Sequence, residues 1–272
     1  MNRLTRSLKL ASFVCALAFT NNALSLPLGA KFLLASTVGE QWGQAVASKG
    51  QTVRFTRPSL PSRGAPSGRY RGGGSKGKCP PVAQPLTALV PVYELNPDGT
   101  RPAWTLTVSD RPVFWFYVPY PLTADLPLEF VLQDDQGQQL YQTTFTQRAA
   151  TPGIIHVQLP PTVPSLQVGK RYHWYFLTYC DDLGPFVDGW VERTTVSADL
   201  QHHLQQMAIR EQIDFYTTHG LWHEALTKLA ERIQQAPKDS ERIADWASLL
   251  RSAGVEDAIA NAPLVDCCTA SK

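Results

Sequence analysis

Ten residues, Arg171-Tyr-His-Trp-Tyr-Phe-Leu-Thr-Tyr-Cys180, constrain the fold of this chain more than any others. A run so dense in aromatic side chains reads as a strand through the middle of a sheet. After a turn it resumes as Val187-Asp-Gly-Trp-Val-Glu192. Alternation sends Tyr172, Trp174, Phe176 and Cys180 to one face and His173, Tyr175, Leu177 and Tyr179 to the other. Neither face can be left fully wet.

Short apolar runs recur from Leu86 onward: Leu86 to Tyr93, Trp104 to Val108, Val113 to Val118, Leu128 to Gln133, Leu140 to Phe145, Ile154 to Leu159, Tyr172 to Cys180 and Val187 to Val196. Turn chemistry such as Asn96-Pro-Asp-Gly99, Asp134-Asp-Gln-Gly137 and Pro152-Gly153 separates them. Short antiparallel strands at this spacing predict a β-sandwich of immunoglobulin-like size. After Ser197, a candidate N-cap, the period lengthens to about 3.6. Three helices are expected, the first from Ala198 to Thr217, the second stopping at Pro237 and the third ending at Gly254. Tyr216, Gly220, Trp222, Ala225, Leu229 and Pro237 fall near tetratricopeptide-repeat (TPR) offsets. The expectation is thus mostly β with an α-helical C-terminus: a sandwich followed by a three-helix TPR-like segment that docks on it.

Arg3, Arg6 and Lys9 followed by the apolar run Leu10 to Phe19 have the layout of a secretory signal, expected over residues 1–30. Residues 31–81 read as a basic Gly/Pro/Ser-rich linker, 82–197 as the sandwich, 198–263 as the helical segment and 264–272 as a tail. Between Gln41 and Tyr93 there is no Asp or Glu, whereas Lys49, Arg54, Arg57, Arg63, Arg69, Arg71, Lys76 and Lys78 are all basic. Such an arm is expected to be mobile and to contact an anionic surface, or simply to keep a linker soluble. Export excludes nucleic acid as a partner and makes the even set Cys79, Cys180, Cys267 and Cys268 eligible for disulfides. Cys79 and Cys180 are the expected bridge; adjacent Cys267 and Cys268 would close a strained ring and are expected to play no structural part.

Motifs for chemistry are weak. Gly72-Gly-Gly-Ser-Lys-Gly-Lys-Cys79 approaches a phosphate-binding loop, but Cys79 replaces the hydroxyl ligand and Pro80-Pro81 forbid the helix that should follow. The histidines are scattered without a companion at ligand or general-base spacing. Asp181, Asp182 and Asp188 surround a turn without calcium-loop spacing. No catalytic residue, metal or cofactor is therefore expected. Trp190 is the aromatic residue expected to be partly wet, because Asp188 and Glu192 share its strand face. On the helical end, Trp222 and Glu224 are candidate partner contacts.

Arg63-Gly-Ala-Pro-Ser-Gly-Arg69, Gly72-Gly-Gly-Ser-Lys-Gly77, Leu86-Thr-Ala-Leu-Val-Pro91, Phe114-Trp-Phe-Tyr-Val-Pro119 and Val168-Gly-Lys-Arg-Tyr-His-Trp-Tyr-Phe176 form a recognisable set. Val187-Asp-Gly-Trp-Val-Glu192, Leu221-Trp-His-Glu-Ala-Leu226 and Trp246-Ala-Ser-Leu-Leu250 extend it. With these phrases the chain, from about Arg63 to Pro263, resembles the domain-of-unknown-function family 928 (DUF928), exported proteins found mainly in cyanobacteria. The segment between Cys180 and Val187 is shorter than is usual there, and Asp188 stands where the family has Glu. The resemblance names no activity. The functional expectation is a non-enzymatic exported protein, periplasmic or in the cell envelope, that binds an envelope protein or polysaccharide. A carbohydrate-binding module is the main alternative, requiring a flat exposed platform at Trp190. A periplasmic hydrolase comes third, requiring a cleft that gathers His173 or His156 with Asp181, Asp182 or Asp188.

Overall fold

A computed structural model describes residues 52–61, 66–73, 79–96, 99–123, 126–145, 151–180, 184–265 and 267. The expected leader, much of the linker including 74–78, Asp181, Asp182 and Cys268 lie outside the described residues.

The order of elements follows the apolar runs. The strands are β1 (Thr87–Ala88), β2 (Trp104–Thr107), β3 (Val113–Val118), β4 (Leu128–Asp134), β5 (Gln139–Phe145), β6 (Gly153–Gln158), β7 (Arg171–Thr178) and β8 (Phe186–Arg193). They form a three-stranded sheet, β1-β3-β6, and a five-stranded sheet, β2-β8-β7-β4-β5. Pairing is antiparallel except between β2 and β8, which run parallel from Trp104↔Trp190 to Thr107↔Arg193. The expectation of a wholly antiparallel sandwich is corrected there. Between β1 and β2 the chain crosses from the smaller sheet to the edge of the larger one, so it need not reverse direction as a hairpin would.

Strand β3 is the structural pivot. Its sequence Val-Phe-Trp-Phe-Tyr-Val is apolar at every position, and alternation divides it between two cores. Phe114, Phe116 and Val118 join the core between the sheets, with Phe130, Trp174, Phe176, Val187 and Val191. Phe116 stacks on Phe176 with centroids 4.1 Å apart. Gly189 makes room for this packing, since a Cβ there would come within 2.5 Å of the Trp174 indole. The other side of β3 presents Val113, Trp115 and Tyr117 to the helices.

Five helices are described: α1 (Ala198–Gln206), α2 (Ile209–Thr218), α3 (Trp222–Gln235), α4 (Ser240–Ser252) and α5 (Asp257–Ala260). Ser197 caps α1, its Oγ accepting from Leu200 N at 3.2 Å. The single helix expected over Ala198–Thr217 is instead two, because Met207 is extended (ψ 150°) and the Glu211 side chain caps Ala208 N at 3.0 Å. A glutamate three residues into a new helix does this without Gly or Pro, and so left no breaker to read. Helix α3 buries Trp222, Ala225, Leu226 and Leu229, and α4 buries Trp246, Ala247, Leu249 and Leu250. Together with Leu89, just after β1, and Trp115 and Ile154 of the smaller sheet they form the second core. Trp115 meets Trp246 edge to face at 5.6 Å. Five-stranded sheet, three-stranded sheet and helices are therefore three successive layers, and the smaller sheet is covered on both sides.

The region expected to be a mobile linker is, where described, docked. Val53 and Phe55 are buried in the helical core, Thr56 N donates to Thr217 O at 3.0 Å and Phe55 N to Ser252 Oγ at 2.8 Å. Farther on, Arg69 pairs with Asp188 and Arg71 with Thr87, so this segment straps the two sheets together along one edge. Composition misled here because two apolar residues, Val53 and Phe55, suffice to anchor a strand-like segment that is otherwise polar.

Cys79 and Cys180 are disulfide-bonded, with Cα atoms 4.9 Å apart and 101 residues between them in sequence. The bridge ties the strap to the end of β7. Cys267, expected to be idle, is buried against the inter-sheet core and is itself disulfide-bonded.

His223, at the start of α3, is fully buried. Its Nδ1 lies 2.9 Å from Val113 O, which can only accept, so Nδ1 carries a proton; Nε2 faces Thr105 Oγ1 at 2.9 Å. Burial pushes its pKa below the usual histidine value, against opposing contributions from the Val113 carbonyl and Glu224.

Two predictions follow from these contacts. Replacing Cys79 and Cys180 by serine frees a loop of about a hundred residues in the unfolded chain and should cost on the order of 4 kcal/mol, read as a lower urea midpoint. For His223 the folded state resists protonation, so below about pH 6.5 the unfolded chain holds the extra proton and stability falls as pH drops. Its share of that slope is at most about 1.4 kcal/mol per pH unit, and the His223→Gln variant should show a shallower decline of Tm between pH 7 and pH 5.

Candidate functional site

The outer face of the five-stranded sheet carries the residues singled out around Trp190. Register sets them in rows across β7 and β8: Arg171 opposite Glu192, His173 opposite Trp190, Tyr175 opposite Asp188 and Leu177 opposite Phe186. Because the inner face is filled by Tyr172, Trp174, Phe176, Val187 and Val191, alternation leaves all of these side chains outside the core.

They form a continuous network. Arg171 Nε lies 2.9 Å from Glu192 Oε2. The His173 ring stacks on Trp190 with centroids 4.2 Å apart and planes 13° from parallel. His173 Nε2 lies 2.8 Å from Asp188 Oδ2, and Tyr175 Oη lies 2.9 Å from His173 Nδ1. Asp188 Oδ1 accepts from Arg69 N at 3.1 Å, and the Arg69 guanidinium covers the Phe186 ring at 4.5 Å. Burial, and then the Asp188 charge, hold the Tyr175 phenol above its ordinary pKa. Tyr175 therefore keeps its proton, and the His173 ring stands between this phenol and the Asp188 carboxylate. Both histidine nitrogens are occupied, and neither contacts a hydroxyl or thiol other than Tyr175.

Among the described residues the Tyr175 phenol is the hydroxyl in reach of the imidazole, so as the side chains stand the pair has no serine, threonine or cysteine to activate. It does hold two aromatic rings and an ion pair in fixed rotamers at a half-buried surface, at low further entropic cost to a partner. The side chains of His173 and Asp188 are only 16% and 14% exposed.

A second cluster lies on the same face. Glu129 of β4 is 8% exposed and accepts from Gln142 Nε2 and Tyr179 Oη, one on each carboxylate oxygen. The bond to Glu129 pushes the Tyr179 phenol up to about 12. Sequence reasoning missed Glu129, because a lone glutamate in an apolar strand carries no motif. Register with Leu177 and Thr144 was the signal that would have placed it on the outer face.

The two helical candidates are corrected. Trp222 is buried, and its Nε1 donates to Leu89 O at 2.7 Å while Phe55 meets its ring edge-on at 4.8 Å. Glu224 Oε1 accepts from Thr107 Oγ1 at 2.6 Å and from Val108 N and Ser109 N at 2.9 Å each. Both dock α3 on the sheets and are not free for a partner. His156 belongs to the other sheet, beside Trp115 at 5.0 Å, and does not join Asp188. Among the described residues no group of three or more His, Cys, Asp or Glu side chains is placed to hold a metal ion.

Residues 71–264, a span containing both sheets and all five described helices, match the family described as Domain of Unknown Function (DUF928). The chain belongs to the DUF928 family. No curated protein matches this DUF928 member. Among solved structures it is similar to a β-glucuronidase of Parabacteroides merdae at 7% identity, with a TM-score of 0.27, over 66% of this chain and 28% of that one. So low a score carries no argument about the DUF928 protein.

Glu224 and Trp190 should separate on mutation. Glu224→Ala leaves three donors without their charged acceptor and should lower the unfolding free energy by about 2–4 kcal/mol. Trp190→Ala, at a half-buried surface, should cost about 1–2 kcal/mol, both read by urea denaturation.

Proposed function

We propose that this protein is a non-enzymatic, exported envelope protein that binds another protein through the outer face of its five-stranded sheet. The observation that carries the reading is the preorganised row Arg171–Glu192, His173–Trp190 and Tyr175–Asp188, in which charged and aromatic side chains pair across the two strands and whose rings are half exposed. Aromatic and arginine side chains already locked by their neighbours suit the centre of a protein interface. The helices cover the opposite side of the smaller sheet, which leaves the five-stranded face as the broad surface without a covering layer among the described residues.

The finer fold assignment belongs to the same proposal. The order β2-β8-β7-β4-β5 against β1-β3-β6, with a parallel first pair in the larger sheet, supports an immunoglobulin-like sandwich. Helices α2 and α3 are the pair to which the TPR-like reading applies. Helix α2 packs on α3, and α3 packs on β2 and β3, which favours a docking role over a free groove.

The carbohydrate-binding alternative needs an open ring face on Trp190, and His173 covers one of the two. A hydrolase is the reading that the His173–Asp188 contact favours, weakened because the hydroxyl against the imidazole among the described residues is the Tyr175 phenol rather than a serine or threonine. A photo-crosslinking residue placed at Val131 or Gln133, on the same face, tests the proposal in intact envelopes. The expected result is one dominant protein crosslink, lost in Trp190→Ala with a Tm within a few degrees of the parent. A crosslink pattern unchanged by Trp190→Ala, or a hydrolytic activity abolished by His173→Ala in folded protein, would overturn it.

A further inference from the structure

A basin of about 660 Å³ opens beside the strap, lined by Arg57, Leu60, Val92, Tyr93, Glu94, Leu95, Asn96, Arg101 and Gly254. Three features set it apart from an ordinary surface hollow.

The first is an orphaned donor. Tyr93 is 7% exposed, and its buried hydroxyl has no hydrogen-bond partner among the described residues. Buried polar groups are nearly always satisfied, and leaving one unmade is costly. Burial pushes its pKa up to about 12, with Arg57 drawing it back, so this hydroxyl remains a donor and lies within the field of the Arg57 charge.

The second is uncompensated positive charge. Among the described residues the Arg57 guanidinium makes no ion pair, and Arg101 spends one nitrogen on the Tyr93 carbonyl and lies 5.9 Å over the Tyr70 ring. Glu94 is at the rim, yet no ion pair joins it to either arginine. Gly254, at φ 92° after α4, leaves the space against which Arg57 rests: a Cβ there would stand 3.3 Å from Arg57 Nη2 and 3.0 Å from Val92 Cβ. The backbone is thus shaped to let this guanidinium lie along the wall.

The third is exposed apolar surface at the same place. Leu60 is 40% and Leu95 58% exposed, and both line the basin together with Val92. Single exposed leucines are ordinary, but two beside a pair of arginines and a buried phenol make an amphiphilic site.

We propose that this basin binds a phosphate or carboxylate head group carried on an aliphatic chain, the anionic oxygens taken by Arg57, Arg101 and the Tyr93 hydroxyl and the chain by Leu60, Val92 and Leu95. Two guanidinium groups and a phenol supply directional donors to an oxyanion, and the leucines exclude water from its tail. The inference gives a structured site to the expected contact with an anionic surface, and rests on that contact only for its membrane source. It involves none of the sheet-face residues.

The test titrates full-length protein with hexyl phosphate and with inorganic phosphate, and separately with vesicles of phosphatidylcholine alone or mixed with phosphatidylglycerol. Hexyl phosphate is expected to bind more tightly than inorganic phosphate. Arg57→Gln and Tyr93→Phe should each weaken it about tenfold, the loss typical of a charged or charge-assisted hydrogen bond. Tyr93→Phe should leave Tm unchanged or raised, because it removes an unpaired buried hydroxyl; a merely structural tyrosine would lose stability without loss of affinity. Binding to phosphatidylglycerol vesicles that falls in parallel in both variants identifies a lipid source. Hexyl phosphate binding with no vesicle binding identifies a soluble ligand, and either supports the site. Retention of hexyl phosphate binding by Trp190→Ala separates this site from the proposed protein interface. No binding of hexyl phosphate, or equal affinity for it in parent and variants, would overturn the proposal.

Discussion

Strand β3 can satisfy its sequence only by being covered on both faces. Phe114, Phe116 and Val118 need the larger sheet, and Val113, Trp115 and Tyr117 need the helices. A two-layer sandwich would leave Trp115 in water, together with Leu89 and Ile154 beside it. At about 25 cal/mol per Å², exposing several such side chains costs a sizeable part of the few kcal/mol by which a domain is stable. The helices are therefore a third layer of the fold, and their charged residues are recruited to hold them there. Glu224 gathers the loop after β2, and His223 and Trp222 reach the backbone of β3 and the segment after β1.

This arrangement has a consequence for function. With helices over the smaller sheet and a strap along one edge, the polar-aromatic face of the larger sheet is left outside the packing. Its charges are partnered across strands rather than with solvent. Thr105 links the two sides, since its hydroxyl lies 2.9 Å from His223 Nε2 and 3.1 Å from the Trp190 carbonyl. A side chain buried under α3 is thus one hydrogen bond from the backbone of the candidate face. Opposite chemistry governs the basin at Tyr93, where two arginines lie beside a buried phenol.

The strands were legible because period-two alternation and turn residues are local signals. All eight apolar runs became strands, though only Thr87–Ala88 of the first pairs in a ladder. The Cys79–Cys180 bridge was legible from the expectation of export and the isolation of each cysteine. Trp190, Asp188 and Glu192 share a face because alternation fixes it. The partners of these residues were not readable: His173 meets Asp188 through a two-strand register, and Arg69 reaches Asp188 from 119 residues away. Trp222 and Glu224 misled for the reason that amphipathic helices do not declare what their rich face covers. The docking of Val53 and Phe55 was hidden in a segment whose average composition is that of a linker.

If β3 unites three layers, sheets and helices must unfold together. Native-state hydrogen exchange followed by mass spectrometry tests this directly, with amides of β3, β7 and α3 compared across a range of denaturant below the unfolding midpoint. The account predicts that the slowest amides of all three elements converge on one opening free energy equal to that of global unfolding. Helix α3 exchanging at a distinctly lower free energy while β3 and β7 stay protected would contradict it, since the helices would then be an appendage and the smaller sheet would tolerate water on its outer face.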